Sequence, residues 1–537
     1  MPKLTFKDNY FYWLGDFDDR QKAIDSEFEW FAIPGKKTGV WRTSDTEKAI
    51  LLESFADDKA QKNITKYKKL IAKSRAHDSS LYIPAPEGEK YKPFQRAGVD
   101  LAATFLNDYG AAMFADDMGL GKTIETIGVL NFFSWVKVLV ICPTSLILNW
   151  EKELKKWHYL NPKIEIICEG KQQIKDDSDI LILPYSLASK VVIREQILKR
   201  YFQCIVMDEV HKLKNPKAQV TKSILGKLKS QSKKNPPLIS RSDKYIPISG
   251  TPMLNMPIEL YPLLIKIAPQ VINYMSYIEY AVRYCGAYQG EFGWVINESS
   301  RESEFQSRLR SRLMIRRLKS EVLKELPEKE KQIIYFKTDK KTEKLIKEEL
   351  DYERSALRKS KKQKIDFTEY SLFRHEIALH KLPLCIEHIK DVLESTGEKI
   401  VVFAHHKDVI KGLRKGLEKY NPLVIDGNVD KMKRQPIVDL FQEEPKHRII
   451  IGELEAMGVG YTLTAARLVI FVEGDWVPST INQCIDRVHR IGQENAVLAQ
   501  FLVYENSLDA EMIRKNIVKQ KNLDNILDER LNHEKFN

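Results

Sequence analysis

Between Ala111 and Phe133 an apolar run, AAMF, a turn with two closely spaced glycines, ADDMGLGKT, and an amphipathic stretch, TIETIGVLNFF, follow one another directly. A strand, a glycine turn and a helix in that order are the context a phosphate-binding loop requires. From Gly110 to Gly250 the short apolar runs VKVLVIC, IEIIC, DILILP, QCIVMDE and YIPIS alternate with stretches of helical period and length, such as 123–133 and 146–157. This region reads as a doubly wound α/β lobe. A second series, KIVVFA, PLVID, HRIIIGE, RLVIFVEG and AVLAQFLVY, runs from Lys399 to Tyr504 and reads as another parallel-sheet lobe of similar size. No sequence repeat relates the two.

A chain of 537 residues exceeds what one core supports and points to about three or four domains. The expected division is a small N-terminal α+β accessory module (1–88), a first lobe (89–326) with a helical insertion after residue 255, a helical linker or protrusion (327–397), and a second lobe with a C-terminal helix (398–537). The lobe boundary falls near Leu326-Pro327. The first zone is dense in aromatics, among them Phe6, Tyr10, Phe11, Tyr12, Trp13, Phe28, Trp30, Phe31 and Trp41. These read first as a small core; stacking on bases beside Lys36, Lys37 and Arg42 is the alternative. The basic run from Arg358 to Lys364 reads as a solvated helix face rather than a nuclear signal.

The net charge of +12, from 86 basic and 74 acidic side chains, indicates a basic surface region and favours a polyanionic partner. No apolar segment reaches the roughly eighteen residues of a membrane span, and MPKLTFKDNYFYW lacks the features of a leader, so the protein is expected to stay where it is made. Six cysteines (Cys142, Cys168, Cys204, Cys285, Cys385 and Cys484) show no CxxC spacing and read as inert thiols in a reducing compartment.

The glycine-bearing turn can hold a nucleotide triphosphate. Gly119 and Gly121 let backbone N–H groups approach phosphates, Lys122 reaches the β and γ phosphates, and Thr123 can ligand magnesium at the start of the helix. Asp116 stands where the strict phosphate-loop pattern has its first glycine. DEVH follows the apolar run CIVM, which puts Asp208 and Glu209 at a strand's C-terminal end, where open α/β sheets bind ligands. Asp208 would hold hydrated magnesium, Glu209 would polarise water, and His211 would sense the nucleotide. On its own DEVH could be an acidic surface turn; the loop upstream favours the site. Gln95 lies where an amide could read the adenine edge, and Ser249, Gly250 and Thr251 close the last strand run of the first lobe. In the second lobe Arg487 and Arg490, three apart on an expected helix, would supply the positive charge that the first lobe lacks. Together they form an ATP site split between two lobes, as a motor requires. Adjacent His405 and His406 point in opposite directions on an extended segment and do not make a metal site.

In order and spacing, KPFQRAG, DDMGLGKT, VICPTSLILNW, DEVHKLKN, SGTP, IRRLKSEVLKELP, DGNVDKMKR, GVGYTLTAA and DWVPSTINQCIDRVHRIGQ resemble the Swi/Snf-type branch of helicase superfamily two, over about Tyr91 to Leu531. VVFAHHK, YAVRYCGA, SGTPMLNMPIELY and IRRLKSEVL are most similar to the annealing-helicase subgroup (HepA-related, HARP-like), which rewinds DNA and remodels stalled forks. The resemblance implies two RecA-like lobes, ATP and magnesium as cofactors, and an ATP-driven translocase on double-stranded or forked DNA. It implies a DNA track along Pro143, Thr144, Ser145, Tyr185, Ser186, His405, His406, Lys407, Asp426, Gly427, Arg434 and Trp476. It also sets Gly458, Gly460 and Gln483 at the lobe interface, with Gly460 by the nucleotide. Single-strand-binding or replication proteins would be partners of a monomer that is cytoplasmic in a prokaryote or virus and nuclear in a eukaryote.

Three departures qualify this. Thr462 occupies a position commonly Asn in the branch. No nuclease or zinc-finger extension is expected after Leu531, and the N-terminal zone is no clear HARP domain. A motor that displaces protein from DNA, by polymerase recycling or within a restriction-like defence system, is the alternative enzyme. A nucleotide-gated scaffold without turnover is the non-enzymatic one.

Overall fold

The structure, a computed structural model, describes residues 2–514 apart from 34–37, 229–235, 254–255, 291–292, 297–298, 324, 328, 361–366, 459, 476 and 508. Lys36, Lys37, the side chains of the basic run at 358–364 and the expected C-terminal helix beyond 514 lie outside the described residues.

At the N-terminus four antiparallel strands, Lys3–Lys7, Tyr10–Leu14, Gly39–Thr43 and Glu29–Ala32, pair in that order. Alternation decides which aromatics are core: Phe11 and Trp13 point inward with Leu4 and Phe28, against Ala60 and Ile64 of the helix Asp58–Ser74. That helix begins where the Asp57 side chain accepts from the Ala60 N–H. On the other face the Arg42 guanidinium lies 4.2 Å from the Tyr10 ring centre and 3.4 Å from that of Phe31, so these rings are already engaged. Trp30 is 55% exposed, beside Trp41.

This sheet is fastened to the first lobe by buried polar contacts. Arg308, 1% exposed, donates to the carbonyls of Ser44 (3.1 Å) and Val271 (2.9 Å) and pairs with Glu304 at 3.2 Å. Arg283 bridges Glu29 of the sheet to Glu304 of the helix Glu302–Arg312, and Tyr67 OH meets Ser307 Oγ at 2.8 Å.

The first large sheet has seven strands, in the order Met314–Ile315, Met113–Phe114, Tyr245–Ile248, Cys204–Asp208, Val138–Cys142, Ile180–Pro184 and Ile164–Ile166. Every pairing is parallel. The central runs are apolar throughout because both faces are covered. Leu139, Ile141, Ile205 and Met207 pack to one side, and Val138, Val140, Cys204 and Val206 to the other. The strand Tyr245–Ile248 separates the one that feeds the phosphate loop from the one that ends at Asp208.

The second sheet has six parallel strands in the order Lys329–Phe336, Val497–Tyr504, Ala466–Phe471, Lys399–Ala404, Ile449–Glu453 and Leu423–Ile425. The two parallel-sheet lobes are thus those of the sequence reading. The first strand is a difference: KEKQIIYF lies in a stretch expected to be helical, yet it pairs along Val497–Tyr504 for its full length. It is an edge strand held by its backbone, and only Ile333, Ile334 and Phe336 pack into the lobe's clusters. The helix Phe367–Ser395 backs this lobe, and its buried Lys381 donates to Asp509 Oδ2 at 2.5 Å and to Leu502 O at 3.0 Å. Among the described residues no helix is long and apolar enough to cross a membrane. Five cysteines are buried and Cys168 is exposed.

Arg308→Ala removes the guanidinium that joins sheet to lobe and leaves Glu304 one cation short. It should cost about 3 kcal/mol, at the low end for a broken buried pair because Arg283 remains. Urea unfolding of the full chain measures this; an unchanged first transition would show that the contact contributes nothing.

Candidate functional site

The loop 115–121 leaves the strand Met113–Phe114 and enters the helix Lys122–Phe132. Gly119 and Gly121 have φ of +87° and +88°, in the region that favours glycine. Space is equally limiting, since a Cβ at 119 would sit 2.7 Å from Arg490 Cβ, and one at 121 would sit 2.7 Å from Gln95 Nε2. Lys122 Nζ donates to the carbonyls of Asp116 (2.8 Å) and Asp117 (3.2 Å). Burial lowers the pKa of Lys122, opposed by Glu209 and Asp116. Thr123 is half-buried at the second helical position.

Asp116 is fully buried, with Arg317 Nη1 at 3.0 Å and the Arg317 N–H at 2.9 Å. The same Nη1 lies 3.0 Å from Glu125, whose pKa burial and the Asp116 charge push up. Arg316 donates to Ala115 O at 2.8 Å and Gly250 O at 3.3 Å. The residues after the strand Met314–Ile315 therefore brace the loop from behind. They were legible only as part of the quoted IRRLKS motif, without a role.

Gln95 is only 2% exposed; its Oε1 accepts from the Lys92 N–H at 3.0 Å and its Nε2 donates to Leu120 O at 3.2 Å. Both ends of the amide expected at the adenine edge are thus used to cap a helix and hold the loop.

Asp208 ends its strand with Oδ2 accepting from Trp150 Nε1 and Oδ1 from the Glu209 N–H, at 2.8 and 2.9 Å. Glu209 has a φ of +52°, a strained backbone for a non-glycine residue. Burial and the neighbouring Glu209 raise the pKa of Asp208. Burial also acts upward on Glu209, but His211, Lys122 and Arg487 outweigh it and hold this carboxyl low. His211 Nδ1, Ser249 Oγ and Glu209 Oε2 form a triangle with sides of 3.3 Å. From Ser249 the contacts run on: the Thr251 N–H donates to Ser249 Oγ at 3.2 Å, and Thr251 Oγ1 accepts from Gln483 Nε2 of the second lobe at 3.4 Å. Gly250 faces Lys122, with 3.1 Å from an added Cβ to Nζ.

In the second lobe the helix Pro478–Ile485 stops before the arginines, which the sequence reading had set on a helix. Arg487 and Arg490 lie instead in successive turns, and Arg490 comes up against the phosphate loop at Gly119 from there. Arg487 Nε donates to Gly458 O at 2.9 Å, and Arg490 Nη1 donates to Thr462 Oγ1 at 3.0 Å. Thr462 is therefore an arginine acceptor. Burial and Arg487 push the pKa of Arg490 down to about 10. Gly460, at φ +93°, abuts the first lobe: an added Cβ would lie 3.0 Å from Leu146 Cδ2 and 3.3 Å from Ser145 O.

The residues assigned to a DNA track divide into two sets. Pro143, Thr144 and Ser145 follow the strand Val138–Cys142 and are half-buried, while Ser186 and Lys407 are exposed. Asp426 Oδ1 accepts from the Asn428 N–H at 2.9 Å, and the Gly427 N–H donates to Glu453 Oε2 at 2.6 Å, which shapes an exposed turn. Two residues are used otherwise. Tyr185 is buried, its hydroxyl donating to Asp208 O at 2.8 Å, and Arg434 is buried with its guanidinium on the carbonyls of Val429, Ala456 and Asp426. Trp476 lies outside the described residues. The N–H groups of His405 and His406 donate to Glu473 Oε2 at 2.8 and 2.9 Å, and His406 Nδ1 lies 2.5 Å from Oε1.

Residues 94–394 match the sequence family described as the SNF2-related domain, and 380–492 match the helicase conserved C-terminal domain. The chain is 34% identical over 429 residues to a Xenopus tropicalis protein named SWI/SNF-related matrix-associated actin-dependent regulator of chromatin subfamily A-like protein 1. That match covers 79% of this chain and 43% of the relative. It is 31% identical over 446 residues to the human DNA annealing helicase and endonuclease ZRANB3, covering 80% and 40%. The chain thus spans about two-fifths of the length of these relatives. A solved Sulfolobus solfataricus SWI2/SNF2 ATPase core in complex with dsDNA is 22% identical, with a TM-score of 0.41, covering 84% of this chain and all (100%) of that one.

Burial acts upward on Glu473, but His406 and two backbone amides hold it at about 2, below its ordinary 4.5. A depressed carboxyl stabilises the fold above the unfolded pKa and loses that effect as pH falls through the folded one. Glu473→Gln should therefore cost about 3 kcal/mol at pH 7, with the gap to the parent protein narrowing between pH 4.5 and 2. Urea unfolding at pH 7 and pH 3 checks this, and an equal gap at both would refute it.

Proposed function

This chain belongs to the SNF2-related family, and on that premise we propose that it is a DNA-dependent ATPase that moves along duplex DNA, with strand annealing or fork remodelling as its output. The observation that carries the reading is the approach of Arg490 to the phosphate loop. The Cβ of that residue lies 2.7 Å from where a Cβ on Gly119 would be, and Arg487 is near enough to help hold Glu209 ionised.

In this reading Gly119, Gly121 and Lys122 hold the β and γ phosphates, where Lys122 exchanges loop carbonyls for phosphate oxygens. The hydroxyl of Thr123 and the carboxylate of Asp208 are hard oxygen donors suited to magnesium, with Trp150 fixing the carboxylate's orientation. Magnesium would neutralise phosphate charge there. Glu209, kept ionised inside the protein, orients water and accepts its proton. Arg487 and Arg490 offset the charge that develops on the transferred phosphoryl group. His211, Ser249, Thr251 and Gln483 link the state of Glu209 to the second lobe through the contacts described above.

The ends of both sheets offer the exposed Ser186, Lys407 and Gly427, with the half-buried Pro143, Thr144, Ser145, His405 and Asp426 beside them, to a nucleic-acid backbone. Amides, hydroxyls and lysine on phosphates give little sequence preference and strong salt sensitivity. The annealing output is supported by the printed name of the human relative, an annealing helicase. Forked DNA and single-strand-binding proteins would then be substrate and partner. The same reading divides the chain into an N-terminal module, two motor lobes and the helical stretch between them.

Lys122→Ala should abolish ATP use. Glu209→Gln should still bind ATP and DNA but hydrolyse about 10²-fold to 10⁴-fold more slowly. The deciding measurement is ATPase stimulation by duplex, forked and single-stranded DNA and by RNA, followed by annealing of a protein-coated bubble. Equal rates with and without duplex DNA would sink the proposal.

A further inference from the structure

Lys319, the first residue of the short helix Lys319–Val322, is bonded to both halves of the site. Its backbone N–H donates to Asp117 Oδ2 of the phosphate loop at 3.1 Å. Its Nζ crosses to the second lobe, where it donates to Asp486 Oδ1 at 2.8 Å and to the carbonyl of His489, the residue before Arg490. The Lys319 side chain and Arg490 also converge on the loop: a Cβ added to Gly119 would lie 2.7 Å from Arg490 Cβ and 3.6 Å from Lys319 Cε.

The turn that carries the arginines is held from other sides too. Lys329, on the first strand of the second sheet, lies 3.2 Å from the same Asp486 oxygen, and His489 Nε2 lies 2.7 Å from Pro327 O. Burial acts upward on Asp486, but Lys329 and Lys319 hold it ionised.

Lys319 is only 5% exposed. An ammonium removed from water costs several kcal/mol, and a methionine of similar length would fill the space without that cost. What the ammonium adds is direction, because it fixes the His489 peptide at one distance from the loop. The Arg490 backbone follows from that peptide.

We propose that Lys319 is a positioning residue for ATP hydrolysis, pinning the turn of Asp486 to Arg490 so that Arg490 is held against the phosphate loop at Gly119. This rests on the ATPase reading of the site. Nucleotide binding belongs to the loop and Lys122, so loss of the pin acts on turnover and leaves affinity alone. A displacement of about 1 Å at such a group costs on the order of 10²-fold in rate.

The test compares Lys319→Met, Lys319→Arg, Asp486→Asn, Arg490→Ala and the Lys319→Met/Arg490→Ala pair in the full chain. Duplex-stimulated kcat, KM for ATP and the Kd of a fluorescent ATP analogue are measured, with thermal melting as the folding control. Lys319→Met should lower kcat about 10²-fold and leave KM and Kd within about 3-fold, the signature of a contact that matters only in the transition state. Lys319→Arg should recover about 10-fold, and Asp486→Asn, which approaches the same pin from the other lobe, should lower kcat without changing Kd. Adding Lys319→Met to Arg490→Ala should slow the enzyme little further, because both remove one interaction. An unchanged kcat in Lys319→Met, a raised Kd with kcat intact, or losses that multiply in the pair would each overturn the pin. If Lys319→Met melts early, Lys319→Arg and Asp486→Asn decide, and full kcat in both overturns it. A parent protein that hydrolyses ATP while the variants match it refutes the pin alone; a parent that does not hydrolyse it refutes the ATPase reading as well.

Discussion

The site depends on a charge buried where no water reaches it. Arg317 is held behind the phosphate loop by Asp116 and Glu125, all three essentially without exposure. Two carboxylates so close cannot both ionise unopposed, and a guanidinium so buried cannot stand alone. Each is tolerable only because the others are there, so the loop, the helix that follows it and the end of the strand Met314–Ile315 are locked in one geometry. Gly98 shows how tight this is, since a Cβ there would sit 2.6 Å from Glu125 Oε1. Arg316 and Lys319 follow from that lock. One reaches the carbonyls of Ala115 and Gly250, and the other leaves for the second lobe.

Asp116 thereby gains an account that the phosphate-loop pattern does not provide. A glycine at that position would leave Arg317 with Glu125 alone and remove the acceptor of its backbone N–H. The departure from the strict pattern is part of what fixes the loop, while Gly119 and Gly121 supply the positive φ that its turn requires.

What could be read in advance follows the range of the interactions. The strand, turn and helix around Lys122, and the acidic pair after CIVM, are local patterns, and sheets covered on both faces leave continuous apolar runs. Arg317 with Asp116, and Lys319 with Asp486, join residues 201 and 167 apart, and no periodicity announces such a pairing. The strand Lys329–Phe336 escaped because half of it is charged or polar and its support comes from backbone pairing. Gln95, Tyr185 and Arg434 carry groups that suit a ligand, yet each has its polar atoms occupied by nearby backbone. The helix expected to carry Arg487 and Arg490 stops short of them at Ile485, and Asp486, its C-cap, pairs with Lys319 and Lys329, contacts that no local pattern announces.

The way the chain passes from one sheet to the other also bounds how far the lobes can separate. Lys319 is tied to the phosphate loop through its own N–H, and Lys329 begins the edge strand of the second sheet. Ten peptide units join these two points, from 319 to 329, and fully stretched they reach about 35 Å. The connection therefore acts as a leash as well as a hinge. On the proposed motor reading, however wide the lobes swing, the arginine-bearing turn would stay near the loop, and the search before each closure would be confined to a small volume.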